Sequence, residues 1–312
     1  MTRFKHLALA ILVVAAVVLS GCSRYKMYSM AIESGRSKAG LSLKKAAISI
    51  GEVVYLDNAG DQDDPKDRGT ILMIHGFGGD KDNWIRLCDK MPDGYRFLVP
   101  DLPGHGESAS DLSNTYTIEN QARWLAEFLA AVHVDKVHLA GNSMGGAISV
   151  RLALDHPEMI QTLTLLDSAG VFRTESEYIK MVKQGVNPLV VSNKEDFVRL
   201  KNLVMEKRPY VPGPIFQVLT ERKIARKAKD EKIFKDMQAD ILSVENQLPE
   251  LNLPTLIVWG DHDRVLHVDN ASVFHEKIKG SQLKILKNIG HIPMLEDPKK
   301  TAAVYGAFLA GH

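Results

Sequence analysis

Short apolar runs recur along the chain, and helical patterns fill the gaps between them. Thr70 to Ile74, Arg96 to Val99, Lys136 to Ala140, Leu163 to Leu166, Thr255 to Trp259 and Leu283 to Leu286 are mostly apolar and too short for helices. Such runs suit strands buried on both faces of a sheet. Ala47 to Leu56 predicts an early strand or hairpin, with Gly51 at the turn or a bulge. Asp57 to Gly69, rich in Asp, Gly and Pro, predicts a loop. Ile118, Ala122, Leu125, Ala126, Leu129 and Val132 recur at helical spacing, and Gly145 to Leu154 predicts a helix that stops before Pro157. Strand and helix in alternation imply a mostly parallel central sheet flanked by helices, an α/β class.

One segment breaks this rhythm. From Phe172 to about Leu251 no buried strand is evident. Lys194 to Val204 and Ile224 to Met237 are its clearest helical stretches, and Pro209, Pro212, Gly213 and Pro214 interrupt it. An insertion at this point, after the sixth strand, would sit over one end of the sheet as a helical cap. The expected division is a core of residues 46–171 and 252–312 with a cap of 172–251.

The first residues follow another logic. Arg3, Lys5 and His6 precede an unbroken apolar run from Leu7 to Leu19. That run is shorter than the ~20 residues of a membrane-spanning helix but suits the apolar part of a signal peptide. It ends in Leu19-Ser20-Gly21-Cys22, which resembles the bacterial lipobox, where cleavage precedes a lipidated cysteine. The expectation is a lipoprotein signal peptide over 1–21, a lipid anchor at Cys22 and a cell-envelope location, with Ser23 leaning toward the outer membrane. Residues 22–45 carry Tyr25, Met27, Tyr28, Met30 and Ile32 in a polar setting, and read as a tether with some helix.

Composition narrows the class without deciding it. The 312 residues are 45% hydrophobic, an ordinary globular balance that suits one large domain with an insertion. Lys and Arg number 39 against 38 Asp and Glu, so no field of one sign argues for nucleic acid. The two cysteines, Cys22 and Cys88, make no disulfide framework. Cys88, in a helical pattern with Trp84 and Ile85, reads as a buried structural thiol.

Candidate chemistry collects at strand ends. Gly141-Asn142-Ser143-Met144-Gly145 matches G-x-S-x-G between a strand and a helix, where a sharp turn would expose the serine and the helix start would offer free N–H groups. His75-Gly76-Phe77-Gly78-Gly79 is a glycine-rich turn after an early strand. Asp261, Asp263 and Asp269 crowd the end of a late strand, and any could serve as an acid. His291, in Asn288-Ile289-Gly290-His291-Ile292-Pro293, follows the last strand and titrates by nature near neutral pH. His133, His138 and His156 read as surface or helix-end residues. Asp101-Leu102-Pro103-Gly104-His105-Gly106-Glu107-Ser108 reads as a rigid turn beside the pocket, with His105 and His75 in supporting roles.

From about Gly69 to Leu309 the chain resembles the α/β-hydrolase family. Its motifs around His75, Ser143 and Val258-Trp259-Gly260-Asp261-His262-Asp263 are similar to those of monoacylglycerol lipases and related bacterial lipases and esterases. The resemblance implies Ser143 as nucleophile, Asp263 of the G-x-x-D motif as acid and His291 as base, in the chain order Ser, Asp, His. It further implies an oxyanion hole from the backbone N–H groups of Phe77 and Met144, an acyl ester or acylglycerol substrate, and no cofactor. Asp261 would then cap its turn. A carbon–carbon bond hydrolase of the meta-cleavage-product type shares the triad and is the nearest rival, although a lipid anchor would place the enzyme away from such metabolism. A dehalogenase needs an aspartate where Ser143 stands. A non-catalytic binding protein of this fold would lack a triad member. No H-E-x-x-H or paired-cysteine spacing argues for zinc.

Overall fold

The protein is described over residues 23–60 and 68–312 by a computed structural model. The expected signal peptide and Cys22 lie outside the described residues. Eight strands build one sheet: β1 (Ser42–Ile48), β2 (Gly51–Asp57), β3 (Thr70–Ile74), β4 (Arg96–Pro100), β5 (Val137–Asn142), β6 (Ile160–Leu166), β7 (Thr255–Gly260) and β8 (Gln282–Leu286). Their order is β1-β2-β4-β3-β5-β6-β7-β8. The β1–β2 hairpin is antiparallel, β2 runs antiparallel to β4, and every other pairing is parallel.

Helices cover the sheet and its carboxyl end. In chain order they are α1 (23–38), α2 (Ile85–Cys88), α3 (Ile118–Ala131), α4 (Met144–Asp155), α5 (Glu177–Lys183), α6 (Lys194–Val204), α7 (Gly213–Ala225), α8 (Lys227–Met237), α9 (Val244–Gln247), α10 (Asp269–Lys277), α11 (Pro293–Glu296) and α12 (Pro298–Leu309). Alternate strand residues point to opposite faces and so join different cores. Leu72, Ile74, Leu139 and Ile257 pack with Leu125, Phe128 and Ile148 of α3 and α4. Ile71, Met73, Leu256 and Val258 pack with Leu87, Ala302, Tyr305 and Phe308 of α2 and α12. Each fully buried aliphatic side chain contributes about 1.5–3 kcal/mol of transfer free energy. That repeated gain explains why the central strands are mostly apolar, with buried polar exceptions such as His138 and Thr162 that pair with each other. Cys88 is buried in the second core, its Sγ 3.7 Å from Met73 Sδ.

The sheet order fixes where a site can form. Successive strands go one way from β3 to β4 and the other way from β3's neighbour β5 through β8. In open parallel sheets the crevice lies at such a reversal, beyond the carboxyl ends of the strands. The loops after β3 and β5 therefore meet there, and they carry His75 to Gly79 and Ser143. Between β6 and β7 the chain leaves the sheet for α5 to α9. Those helices touch the same end: Lys223 donates to the Gly78 carbonyl, Arg226 Nη2 to Gly104 O (3.3 Å), and the His291 N–H to Val204 O (2.9 Å).

Two expectations differ from what is observed. The segment 22–45, expected as a tether with some helix, is over its described residues mostly helix, α1, packed on the body and followed by the first residues of β1. Long-range side-chain contacts hold α1 to the body. Arg36 pairs with Asp82 through two bonds of 2.8 Å, Arg24 and Tyr25 reach Glu221, and Arg222 lies over the Tyr28 ring at 5.3 Å. His138, expected at the surface, is buried in β5, where Nδ1 lies 3.0 Å from Thr162 Oγ1. Among the described residues no helix is long and apolar enough to cross a membrane.

Candidate active site

Ser143 stands between β5 and α4 with φ 55° and ψ −122°. A residue with a Cβ reaches this region only at a conformational cost, so surrounding bonds must hold it. The Ser143 N–H donates to Leu166 O (3.1 Å), and its carbonyl accepts from Gly146 (2.9 Å) and Ala169 (3.0 Å). The turn also demands close approach. A Cβ on Gly145 would lie 2.3 Å from Ile74 O, and one on Gly76 would lie 3.0 Å from Ser143 Cβ. The loop after β3 thus rests directly against Ser143.

That loop is held from beneath. The His75 Nδ1–H donates to Gly76 O (2.8 Å), while Nε2 accepts from the Leu102 N–H (3.0 Å). A ring that accepts at one nitrogen is neutral, and burial drives its pKa down to about 4. The Gly79 N–H also donates to Gly76 O (3.0 Å). In a trans peptide the N–H lies opposite the carbonyl, so the Phe77 N–H points away from these contacts. Met144 opens α4, where the first N–H groups have no partner within the helix. The Asp101 to Ser108 turn supports His75. Asp101 accepts from the Lys81 backbone (2.7 Å), Lys81 Nζ (2.8 Å) and the Glu107 N–H (2.8 Å).

Asp263 and His291 come together in a buried contact. His291 Nδ1 lies 2.7 Å from Asp263 Oδ2, and both side chains are almost wholly shielded. Asp263 Oδ1 accepts from the Val265 (2.7 Å) and Leu266 (3.0 Å) N–H groups. Three donors therefore stabilise its charge. Asp261 faces elsewhere and accepts from the Asn288 N–H at 2.6 Å, which ties its turn to the loop after β8. Asp269 opens α10 beside His267. The serine and histidine loops share a link: Asn142 Nδ2, next to Ser143, donates to both Leu166 O and His291 O at 3.0 Å.

Two residues of this site escaped the reading of the sequence. Glu296 gathers three backbone N–H groups, those of Gly290 (2.9 Å), Glu206 (2.9 Å) and Lys207 (2.7 Å), and so binds the histidine loop to the end of α6. Asp167 directly follows β6 and is wholly buried. One of its oxygens, one oxygen of Asp263 and a ring nitrogen of His291 lie within 4.8 Å of one another. Such a trio could ligate a metal in principle, yet Asp263 already engages both oxygens with a ring and two backbone amides. An acid directly after an apolar strand, at the carboxyl end of the sheet, was the available signal for Asp167.

Comparison with known proteins agrees with this architecture. The sequence profile of the alpha/beta hydrolase fold family matches residues 69–298. A lipase of a Moraxella species (strain TA144), Lipase 3, is 37% identical over 289 residues, which cover 90% of this chain and 88% of that one. A monoacylglycerol lipase of Xenopus laevis is 31% identical, with 79% of this chain and 77% of that one covered. A solved bacterial membrane phospholipase A, described as a virulence factor, superimposes with a TM-score of 0.90 at 39% identity, covering 100% of this chain and 99% of that one. The chain belongs to the α/β-hydrolase family, among its lipases and esterases.

Proposed function

We propose that the protein hydrolyses acyl esters, acylglycerols among them, through Ser143, His291 and Asp263. The observation that carries this reading is the buried 2.7 Å contact of His291 with Asp263, joined to the strained Ser143 through Asn142. With Nδ1–H donated to Asp263, Nε2 of His291 is free to act as base. Ser143 Oγ attacks the ester carbonyl while Nε2 takes its proton, and the imidazolium so formed is stabilised by Asp263. The oxyanion is met by the N–H groups of Phe77 and Met144, each removed donor costing about 10²–10³ in turnover. His291 then protonates the leaving alcohol, and water repeats the sequence on the acyl-enzyme. Every group needed is on the chain, so the route runs without a cofactor.

We further propose that Cys22 carries a lipid anchor and that the protein works at the bacterial outer membrane. The apolar run before Leu19-Ser20-Gly21-Cys22 supports this, as does the membrane phospholipase among the chain's relatives. A lipid substrate needs apolar shelter for its acyl chain, each buried CH₂ contributing about 0.8 kcal/mol. The helices between β6 and β7 are suited to supply it. Phe216 itself packs against Phe197 of α6 (ring centroids 5.3 Å), whereas Leu219 is only half-buried.

Four outcomes are expected. A fluorophosphonate probe labels the wild type and not Ser143→Ala, whose turnover falls by about 10⁴ or more; labelling of the alanine variant would move the nucleophile elsewhere. Asp263→Asn folds and loses nearly all activity, and Asp261→Asn retains most of it; the reverse ranking would transfer the acid's role. Across nitrophenyl esters of increasing chain length, kcat/KM favours medium or long chains over acetate, and Leu219→Asp lowers long-chain turnover more than short-chain turnover. Equal loss at every length, with acetate the best substrate, would point to a small-ester or carbon–carbon bond hydrolase. In bacteria fed labelled palmitate, the wild type takes up label and Cys22→Ala does not.

A further inference from the structure

Asp167 has no part in the mechanism above, yet its carboxyl lies against the two residues that hold the active proton. Its backbone is committed to the sheet end, where the N–H donates to Val258 O (2.9 Å) at φ 45°. Its side chain is committed too, since Oδ1 accepts from the Gly260 N–H at 2.8 Å, three residues before Asp263. Oδ2 is buried without a hydrogen-bond partner of its own, while an Asp167 oxygen, an Asp263 oxygen and a His291 ring nitrogen fall within 4.8 Å.

Two carboxylates so placed cannot both be charged in a dry site, and one must keep its proton. The surrounding donors decide which. Asp263 receives two backbone N–H groups and the histidine ring, against one N–H for Asp167. The charge therefore rests on Asp263. Burial, and then the neighbouring Asp263, hold the Asp167 carboxyl well above the usual carboxylate range. Since Oδ1 already accepts from Gly260, the Asp167 proton belongs on Oδ2.

Resting on the triad reading, we infer that Asp167 is a positioning residue for it: a neutral carboxylic acid whose Oδ2–H is directed at the Asp263 carboxylate and tempers that carboxylate's pull on His291. A donor on Asp263 withdraws part of the negative charge felt by the imidazolium. The ring then gives up its proton to solvent more readily, which extends activity toward acidic pH. Without that donor Asp263 holds the histidine proton more tightly, and the base is disarmed at higher pH.

The test is the pH dependence of kcat/KM in wild type, Asp167→Ala and Asp167→Asn, with an infrared spectrum of each. In the alanine variant the acidic limb moves up by about one pH unit. Asparagine, which can accept from Gly260 and donate to Asp263, restores the limb toward the wild-type position. The carbonyl band of a protonated buried carboxyl, present in the wild type at neutral pH, is missing from both variants. An unmoved limb in Asp167→Ala, or a band that survives in Asp167→Asn, would overturn the inference. Should the alanine variant fail to fold, the asparagine variant's spectrum still decides whether the proton sits on Asp167. Fluorophosphonate labelling of all three proteins separates the two readings: labelled Ser143 with unmoved limbs removes only the role of Asp167, and absence of Ser143 labelling in the wild type removes the triad itself.

Discussion

The site depends on holding one backbone in an unfavourable conformation. Ser143, at φ 55°, turns the chain from β5 into α4 with almost no room to spare. Strain of this kind costs on the order of 1–3 kcal/mol and persists only when its surroundings over-determine it. Here they do. β6 accepts the serine's N–H, β3 backs onto Gly145, and the segment after β6 returns Ala169 to the serine carbonyl. Strands β3 and β6 are themselves fixed by parallel pairing in the middle of the sheet. The stability of the two cores on either side of β3, β5 and β6 is thus what the turn draws on, and a change deep in those cores would reach Ser143 through the strands.

Charge placement follows from the same geometry. Strands β6 and β7 end side by side, and each delivers an acid to nearly the same place: Asp167 directly, Asp263 after a short turn. Their inequality comes from the backbone. The turn after Gly260 curls two N–H groups onto Asp263, whereas Asp167 receives one from Gly260. His75 shows the opposite use of burial, since a ring driven neutral can accept from Leu102 and lock the loop beside Ser143. Neither arrangement asks for a field from the whole molecule, which is consistent with its near-zero net charge.

How much of this could be seen in the chain alone depended on the range of the interaction. The central strands announced themselves because burial on both faces demands an unbroken apolar run, as in Thr70 to Ile74. Ser143 was legible for a local reason too, since small neighbours are needed within two residues of the turn. Of the sheet's two edges, β8 was legible and the start of β1 was not. β1 begins at Ser42-Leu43-Lys44-Lys45, and lysines on an edge strand discourage further pairing while hiding the alternation that marks a strand. The docking of α1 was missed, although some helix was expected there, because what holds it is far away in sequence: Arg36 with Asp82, Arg24 with Glu221. Asp167 and Glu296 fall in the same class. Gly260 lies 93 residues from Asp167, and Glu206 and Lys207 lie 90 and 89 from Glu296, so the position of Asp167 after an apolar strand was the one local sign and Glu296 had none.

The segment between β6 and β7 closes the argument, because it is fastened to both halves of the site. At one side the end of α6 gives its Val204 carbonyl to the His291 N–H, while the next turn offers the Glu206 and Lys207 N–H groups to Glu296. Arg264, adjoining Asp263, reaches the same turn through Asn202 O (3.0 Å) and Glu206. At the other side α7 and α8 touch the loop that carries Phe77: Lys223 donates to Gly78, and Phe234 meets the Phe77 ring at 5.8 Å between centroids. A segment tied only to the His291 loop could move without disturbing the loop of Phe77, and one tied only to that loop could move without disturbing His291. With both sets of contacts in place, any movement of these helices away from the sheet must break hydrogen bonds to one of the two. The helices over the sheet are therefore mechanically continuous with the groups beneath them.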